Sequence, residues 1–297
     1  MSRLSNQLVA TMLAQKISPQ PVEALVDAAL REDLGSGLDA TTVATIPVDQ
    51  IAVAQFNARK SGVVAGVFAA QAVLEIAGNS AITFTKQIPE GSKVQAGDLI
   101  FEATGRVADL LFAERTALNF LSRLSGVATM SSIWVEAVKG TGCIVRDTRK
   151  TTPAWREIEK FAVRMGGATN HRMNLSDAAL IKDNHIAATG SISDAVKDVR
   201  NKFPNLSIEV EIDRLDQMEE AIAGKVDLIL LDNMSPAECK VAVAQCANRT
   251  KLEASGGITL ENAREYALSG VDFIAIGALT HSAAILDIGL DLKVKGL

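Results

Sequence analysis

Four short stretches decide the fold: SIEVEID at 207–213, DLILLDN at 227–233, KLEASGG at 251–257 and DFIAIGA at 272–278. Each is a nearly continuous apolar run, and a segment with helical spacing separates it from the next one. Strands that are covered on both faces have this character, and their alternation with helices is typical of a parallel sheet built from βα units. The C-terminal half is therefore predicted to be an α/β barrel.

Two earlier runs extend the pattern, CIVRD at 143–147 and AALIKD at 178–183. A complete eight-stranded barrel usually takes roughly 250 residues. Since all six runs lie between residues 143 and 278, the predicted barrel is open and incomplete.

The first 140 residues lack this regular rhythm. Apolar spacing predicts helices over 20–34, 68–76 and 107–138. Strands are predicted in IAVAQFNAR from Ile51, GVVAGV from Gly62 and AITFTKQI from Ala81, and a structural β-hairpin is predicted over GSKVQAGDLIFEATG at 91–105. This half is predicted to be an α+β layer. Together with the predicted α/β barrel of the C-terminal half, it places the chain in the α/β class.

Composition excludes several classes of protein. The chain has 297 residues, a formal net charge of −5 and only 4% aromatic residues, so it offers a phosphate backbone no excess of positive charge and the bases few stacking platforms. The three cysteines, Cys143, Cys239 and Cys246, lie far apart and predict buried thiols rather than disulfides or a zinc site. No apolar run reaches the roughly 18 to 20 residues of a membrane span, and the N-terminus lacks a secretory signal pattern. We expect a cytoplasmic protein without a nucleic-acid or membrane partner.

Polar residues or glycines end every predicted strand of the C-terminal half. The carboxyl ends of barrel strands open onto one face, and active sites are built there. A single charged residue after a strand is as often simply solvated, but a whole set is harder to explain in that way. The set consists of Asp147, Lys182, Glu211, Asp232, Ser255 with Gly256 and Gly257, and Gly277.

The charge distribution indicates an anionic ligand. Residues 146–185 contain eight Lys or Arg against five acidic residues, although the chain as a whole is acidic. Three of these cations, Arg156, Lys160 and Arg164, recur about four residues apart and are interpreted as one solvated helix face. We exclude these three from the predicted site.

Two further features complete the predicted pocket. ASGGIT at 254–259 and IAIGALT at 274–280 each follow a strand and precede a helix, where backbone N–H groups can hold a phosphate. Glu211 and Asp232 end neighbouring strands without a histidine at metal-ligand spacing, so their oxygens favour Mg²⁺ over zinc. Neither a GxxxxGK[ST] loop nor a GxGxxG turn occurs.

Longer strings of the sequence resemble one known family. They are ALREDLGSGLDATT (29–42), ERTALNFLSRLSGVAT (114–129), the segment 146–186 with DTRKT, NHR and LIKDNH, EVEID (209–213), LLDNMSP (230–236), ASGGIT (254–259) and GVDFIAIGALTHSA (270–283). The chain thereby resembles quinolinate phosphoribosyltransferase, also called nicotinate-nucleotide pyrophosphorylase (carboxylating). One departure is Ala168, where the family often has a third glycine.

The resemblance implies two domains and a reaction. An N-terminal α/β sandwich would cover residues 1–117 and be joined by residues 287–297, and an open α/β barrel would cover 118–286 and carry the active site. The implied reaction converts quinolinate and 5-phosphoribosyl-1-pyrophosphate to nicotinate mononucleotide, pyrophosphate and CO2, with Mg²⁺, in NAD biosynthesis. A homodimer or a higher oligomer is implied, because Arg115 of one subunit completes the site of its partner in this family.

The resemblance also implies residue roles. Quinolinate carboxylates would be bound by Arg115, Arg149, Arg172 and Lys182, with Thr148, Lys150 and His171 beside them. Glu211 and Asp232 would face ribose hydroxyls and Mg²⁺, and phosphate groups would be held by Ser255, Gly256, Gly257, Gly277, Lys150, Lys182 and His281. The residues implied to act in catalysis are Lys150, His171, Lys182, Glu211 and Asp232.

Three other functions compete with this one. A nicotinate-using phosphoribosyltransferase of the same fold would need fewer cations, because nicotinate has one carboxylate fewer. A Schiff-base aldolase could use Lys182 at its strand end. A non-catalytic sensor of pyridine ligands would keep the cations but would not need the paired carboxylates.

Overall fold

The apolar periodicities of the sequence form helices and strands in the computed structural model, which describes residues 2–79 and 81–294. The helices are α1 Asn6–Ala14, α2 Pro19–Leu34, α3 Ala40–Thr45, α4 Val67–Ala77, α5 Val107–Ala137, α6 Arg156–Met165, α7 Asp183–Thr189, α8 Ile192–Lys202, α9 Met218–Ala223, α10 Pro236–Cys246, α11 Ala263–Leu268 and α12 Ala278–His281. The strands are β1 Ile51–Ala58, β2 Gly62–Val63, β3 Thr83–Thr85, β4 Lys93–Val94, β5 Leu99–Arg106, β6 Ile144–Arg146, β7 Ala179–Ile181, β8 Ile208–Ile212, β9 Leu228–Asp232, β10 Lys251–Ser255, β11 Phe273–Ala275 and β12 Ile288–Val294. Each of the six runs predicted as barrel strands contains one of these strands.

The chain divides into two compact units. The first contains the chain up to Met130, Pro153–Gly166 and the chain from Ala283 onward; the second contains Ser131–Thr152 and Gly167–Ser282. The domain boundaries implied at 117/118 and 286/287 stay a prediction, and residues 295–297 of the implied C-terminal segment lie outside the described residues.

The first unit is built on an antiparallel sheet with the strand order β12-β1-β5-β3. β1 alternates as a half-buried strand should, with Ala54 and Phe56 fully buried on the inner face. Phe56 stacks on Phe101 of β5 with ring centroids 4.2 Å apart. β12 pairs along β1 with Ala58 opposite Ile288, so the C-terminal strand adds an edge to this sheet.

The predicted hairpin over 91–105 is wrong. β5 pairs with β1 on one side and with β3 on the other, so both of its edges are occupied. β4 pairs instead with β2 in a separate two-stranded sheet. Alternating residues around turn glycines predicted the strands correctly, but they could not determine which strand becomes the neighbour.

The interpretation of α6 as a solvated charged face is also wrong. Lys160 and Glu159 are both 0% exposed. Within the first unit, Glu159 Oε1 accepts a hydrogen bond from Arg123 Nη2 of α5 at 2.8 Å, and Arg164 Nη2 donates to the carbonyl of Gln15 at 3.0 Å. A four-residue spacing of charges arises on a helix with buried ion pairs as well as on one that faces water.

The second unit contains a parallel sheet with the strand order β6-β11-β10-β9-β8-β7. Among the described residues, β6 and β7 are its two edges and do not pair with each other, so the predicted open barrel is confirmed. The register places Glu211 opposite Leu230 and Asp232 opposite Ser255. The carboxyl ends of β8, β9 and β10 therefore lie close to one another along the same edge of the sheet.

The cysteines have the buried positions that the sequence predicts. Cys143, Cys239 and Cys246 are all buried free thiols. Among the helices within residues 2–79 and 81–294, none has the length and apolar character that crossing a membrane requires.

Candidate active site

A cavity of about 360 Å³ lies at the carboxyl ends of the parallel strands in the second unit. We call it the strand-end cavity. Its walls include nine of the residues predicted for the site: Thr148, Arg149, Lys150, His171, Arg172, Lys182, Glu211, Asp232 and Ser255. Residues far apart in sequence thus converge as the strand pattern predicted.

Asp147 holds the two most basic segments of the cavity together. Its side chain is 0% exposed, and its two carboxylate oxygens accept hydrogen bonds from Asn170 Nδ2 at 2.6 Å and from the backbone N–H of His171 at 2.8 Å. Thr169 also forms an isolated parallel β-bridge with Arg146, the last residue of β6. The sequence predicted Asp147 as a pocket residue, but its contacts in the structure orient the loop that carries His171 and Arg172.

Arg149 and Arg172 form a cationic wall. Burial, together with the positive charge of Arg149, lowers the pKa of Arg172 from its ordinary value. Arg172 Nη1 donates to the carbonyl of Ala178 at 2.9 Å, which orients the guanidinium group. Arg149 Nε is buried and has no hydrogen-bond partner among the described residues. Two neighbouring guanidinium groups of this kind favour binding of a multiply charged anion.

Lys182 and Glu211 form an ion pair inside the cavity, with Lys182 Nζ donating to Glu211 Oε2. Lys182 follows β7 directly, and its backbone N–H donates to His185 Nδ1 at 3.0 Å at the start of α7. Lys182 thus projects from a defined position at a strand end rather than from a free loop.

The carboxylates predicted to hold Mg²⁺ have suitable donor atoms. Asp232 Oδ2 accepts from Asn233 Nδ2 at 2.7 Å, and Glu211 Oε2 accepts from Lys182. The second oxygen of each carboxylate has no hydrogen-bond partner among the described residues and can bind a cation or a hydroxyl group. Carboxylate oxygens on adjacent strands, without thiolate or imidazole between them, are a donor set that fits Mg²⁺.

Two glycines near the cavity leave little room for a side chain. Gly256 has φ +88°, and a Cβ there would lie 2.1 Å from Asn233 Oδ1. A Cβ on Gly277 would lie 2.9 Å from Lys150 Cδ and 3.1 Å from His281 Nε2. The backbone at Gly277 thus comes close to two residues predicted to bind phosphate, whereas Gly257 has open space around it.

Arg115 is exposed on α5 in the first unit. Its place in the site of a neighbouring subunit stays a prediction.

A buried charged layer beneath the cavity was not predicted from the sequence. His171 Nε2 lies 2.7 Å from Glu209 Oε2, and Arg146 Nη1 donates to Glu253 Oε2 at 2.8 Å. Burial, with a further contribution from the negative charge of Glu209, raises the pKa of Glu253 to about 7. The available signal was period two: Glu209 precedes Glu211, and Glu253 precedes Ser255, by two residues on the inward face of a strand.

Both parts of the chain match a known protein family. Residues 39–125 match the quinolinate phosphoribosyl transferase N-terminal domain, and residues 127–291 match the C-terminal domain of the same name.

Named relatives cover most of the chain. The nicotinate-nucleotide pyrophosphorylase [carboxylating] of Mycobacterium leprae is 47% identical over 268 residues, which is 89% of this chain and 94% of the relative. A probable nicotinate-nucleotide pyrophosphorylase [carboxylating] of Bacillus subtilis is 39% identical over 89% of this chain and 91% of its own length. The crystal structure of NadC from Streptococcus pyogenes superimposes with a TM-score of 0.89 at 41% identity, covering 94% of this chain and 98% of that one.

Proposed function

This chain belongs to the quinolinate phosphoribosyltransferase family, and we propose on that premise how residues of its second unit carry out the family reaction. The enzyme is a decarboxylating pentosyltransferase of NAD biosynthesis, and it transfers a phosphoribosyl group to quinolinate. The observation that supports the assignment of residues is the convergence of Arg149, Arg172 and Lys182 in the strand-end cavity.

Quinolinate binds against the cationic wall. Its two carboxylates need two sets of donors, and the planar forks of Arg149 and Arg172 suit bidentate binding. The buried Nε of Arg149 supplies an additional donor for an incoming carboxylate. Lys182, with Thr148 and His171 beside it, completes the binding surface in this subunit.

The phosphoribosyl pyrophosphate binds across the other side of the same cavity. Ser255 ends β10 and is followed by Gly256 and Gly257, and Gly277 with His281 follows β11, so backbone N–H groups and Lys150 can hold phosphate oxygens. Glu211 and Asp232 would hold Mg²⁺ and the ribose hydroxyls through their available oxygens. When bound, Mg²⁺ would supply positive charge that neutralises the pyrophosphate.

Transfer of the phosphoribosyl group precedes loss of CO2. As pyrophosphate leaves, positive charge develops at the anomeric carbon, and Glu211 and Asp232 stabilise it while Lys150 and Lys182 stabilise the leaving group. The pyridine nitrogen then attacks this carbon and becomes cationic. The adjacent 2-carboxylate leaves as CO2 only afterwards, because the cationic nitrogen can then stabilise the electron pair left on C2.

A direct assay tests this function. We expect purified protein with Mg²⁺ and phosphoribosyl pyrophosphate to convert quinolinate, but not nicotinate, to nicotinate mononucleotide with release of CO2. Chelation of Mg²⁺ should abolish turnover, and its return should restore it. Turnover of nicotinate instead would support the other phosphoribosyltransferase, and ligand binding without turnover would support a sensor. A Schiff-base aldolase needs a neutral lysine amine, whereas Lys182 is ion-paired with Glu211.

The functional assembly is a homodimer in the cytoplasm, in which Arg115 of each subunit reaches the quinolinate of the other. Exposure of Arg115 on α5 is compatible with this role. The three buried thiols are typical of a reducing compartment.

Subunit mixing tests the shared site. An Arg115→Ala chain and a Lys182→Ala chain should each be nearly inactive alone. In a hybrid dimer one of the two sites has both residues, so random exchange should restore about a quarter of the wild-type activity. Subunit exchange must be verified independently, for example by native mass spectrometry of differently tagged chains. Verified exchange without recovered activity would contradict the proposed role of Arg115.

A further inference from the structure

A second cavity lies on the opposite side of His171, at the amino ends of the same strands. It encloses about 290 Å³, and its walls include Ser207 just before β8, Leu228 at the start of β9 and Ala178 just before β7. We call it the basal cavity. His171 and Arg172, which are predicted to contact quinolinate, also border it, but none of the residues predicted for the phosphate site does.

A thin layer of titratable side chains separates the two cavities. Glu209 lines the basal cavity, Glu253 lines the strand-end cavity, and His171 and Arg172 line both. The ring connects the two carboxyl groups, because His171 Nε2 lies 2.7 Å from Glu209 Oε2 and 3.5 Å from Glu253 Oε1. Side chains that can carry a proton thus extend from one cavity to the other.

The two buried carboxyl groups of this layer each have an oxygen that can accept a proton. Glu209 and Glu253 are 4% and 0% exposed, and Oε1 of each is buried without a hydrogen-bond partner among the described residues. The charged and titratable groups facing Glu253 are Arg146 of β6, Glu209 of β8 and His171. Its raised pKa, about 7, means that burial and Glu209 outweigh the opposing effect of Arg146 and His171. Near neutral pH, Glu253 can therefore both hold and release a proton.

The decarboxylation step requires such a donor. When the bond between C2 and its carboxylate breaks, CO2 leaves and the electron pair stays on C2 beside the cationic nitrogen. We propose that Glu253 supplies this proton through the ring of His171, which lines the strand-end cavity, and that solvent in the basal cavity returns a proton to the layer. The C2–H bond forms as an N–H bond of the His171 ring breaks, the ring takes the proton of the Glu253 carboxyl group, and each turnover consumes one solvent proton.

The basal cavity provides a route by which a proton can reach this layer. During the reaction the ribosylated pyridine and pyrophosphate occupy the strand-end cavity, and enclosed sites exclude bulk water. A proton that enters through the basal cavity does not have to pass these products. The inference rests on the proposed function, because only a decarboxylating transfer leaves an electron pair on C2.

Glu253→Gln tests the proton donor. The amide keeps the shape and can still accept the hydrogen bond from Arg146, but it cannot supply an acidic proton. General acid catalysis contributes roughly 100- to 10,000-fold, so we expect the turnover number to fall by at least about 100-fold while the KM values for both substrates change little. In a single turnover, pyrophosphate should appear at the wild-type rate and nicotinate mononucleotide much later. The exposed Glu265→Gln is the matched control and should behave as wild type.

Two further variants distinguish proton transfer from a structural role. Formate added to Glu253→Ala should restore part of the turnover, because a small acid can occupy the vacated space. Ser207→Phe, which narrows the basal cavity at an exposed position, should slow mononucleotide formation without slowing pyrophosphate release. Full turnover in Glu253→Gln, or equal slowing of both steps with no rescue by formate, would overturn the proposal. Absence of quinolinate turnover in the wild type would instead contradict the proposed function.

Discussion

Replacing Arg149 or Arg172 with alanine should lower kcat/KM for quinolinate by about 30- to 1,000-fold, which corresponds to roughly 2–4 kcal/mol of lost transition-state binding. Each guanidinium group lines a partly enclosed cavity, and we propose that it makes a charge-assisted contact with quinolinate there. The loss should be larger for quinolinate than for phosphoribosyl pyrophosphate, whose phosphates we propose to bind on the other side of the cavity. Steady-state kinetics with each substrate varied in turn will measure it.

Conservative and remote variants provide the controls for this result. Arg172→Lys keeps the charge but loses the planar fork, so it should recover only part of the alanine defect. Arg214→Ala removes an exposed cation that pairs with Asp216, and it should leave the kinetics unchanged. Wild-type kinetics in both Arg149→Ala and Arg172→Ala would remove these residues from the quinolinate site.

The largest stability effect is expected at the buried ion pair of the first unit. Glu159→Ala should lower the free energy of unfolding by about 3–5 kcal/mol, because it leaves the positive charge of Arg123 without its buried carboxylate. The side chain of Glu159 is 0% exposed and that of Arg123 is 22% exposed, so water can compensate for only part of the loss. Chemical denaturation followed by circular dichroism will measure the change.

The matched control is an exposed ion pair at the C-terminal end of α5, the helix that carries Arg123, between Glu136 of the helix and Lys139 just beyond it. Lys139 Nζ lies 3.0 Å from Glu136 Oε1, with the two side chains 71% and 67% exposed. Surface substitutions of this kind usually change stability by less than about 0.5 kcal/mol, so Glu136→Ala should have almost no effect. Equal effects of Glu136→Ala and Glu159→Ala would contradict the role assigned to burial.

Much of the second unit could be predicted from local patterns. An apolar run such as LILL in β9 is long enough to identify a buried strand, and the polar residue at its end lies at a predictable edge of the sheet. Their positions at strand ends are enough to predict that Lys182, Glu211 and Asp232 lie in one cavity. The residues of the basic loops, Arg149 and Arg172, came from the resemblance to a family, because loop residues have no periodicity that places them.

The errors arose where one pattern fits two environments. The charges of α6 recur with helical spacing whether that face meets water or buried partners, and only packing in the first unit showed Lys160 to be fully buried. The strands at 93–94 and 99–106 were near each other in sequence, but β5 already had a neighbour on each edge. Sequence proximity therefore did not produce a hairpin.

The strands of the second unit, the open α/β barrel and the family could be predicted from the sequence alone, since apolar periodicity and motif strings are properties of neighbouring residues. Only the tertiary structure decided that Glu209 and Glu253 meet His171 between two cavities, and that Asp147 orients a loop rather than facing a ligand. The physical reason is that burial and charge pairing depend on which side chains come together across strands. Contacts between residues that are distant in the sequence form only when the chain folds, so local sequence patterns do not reveal them.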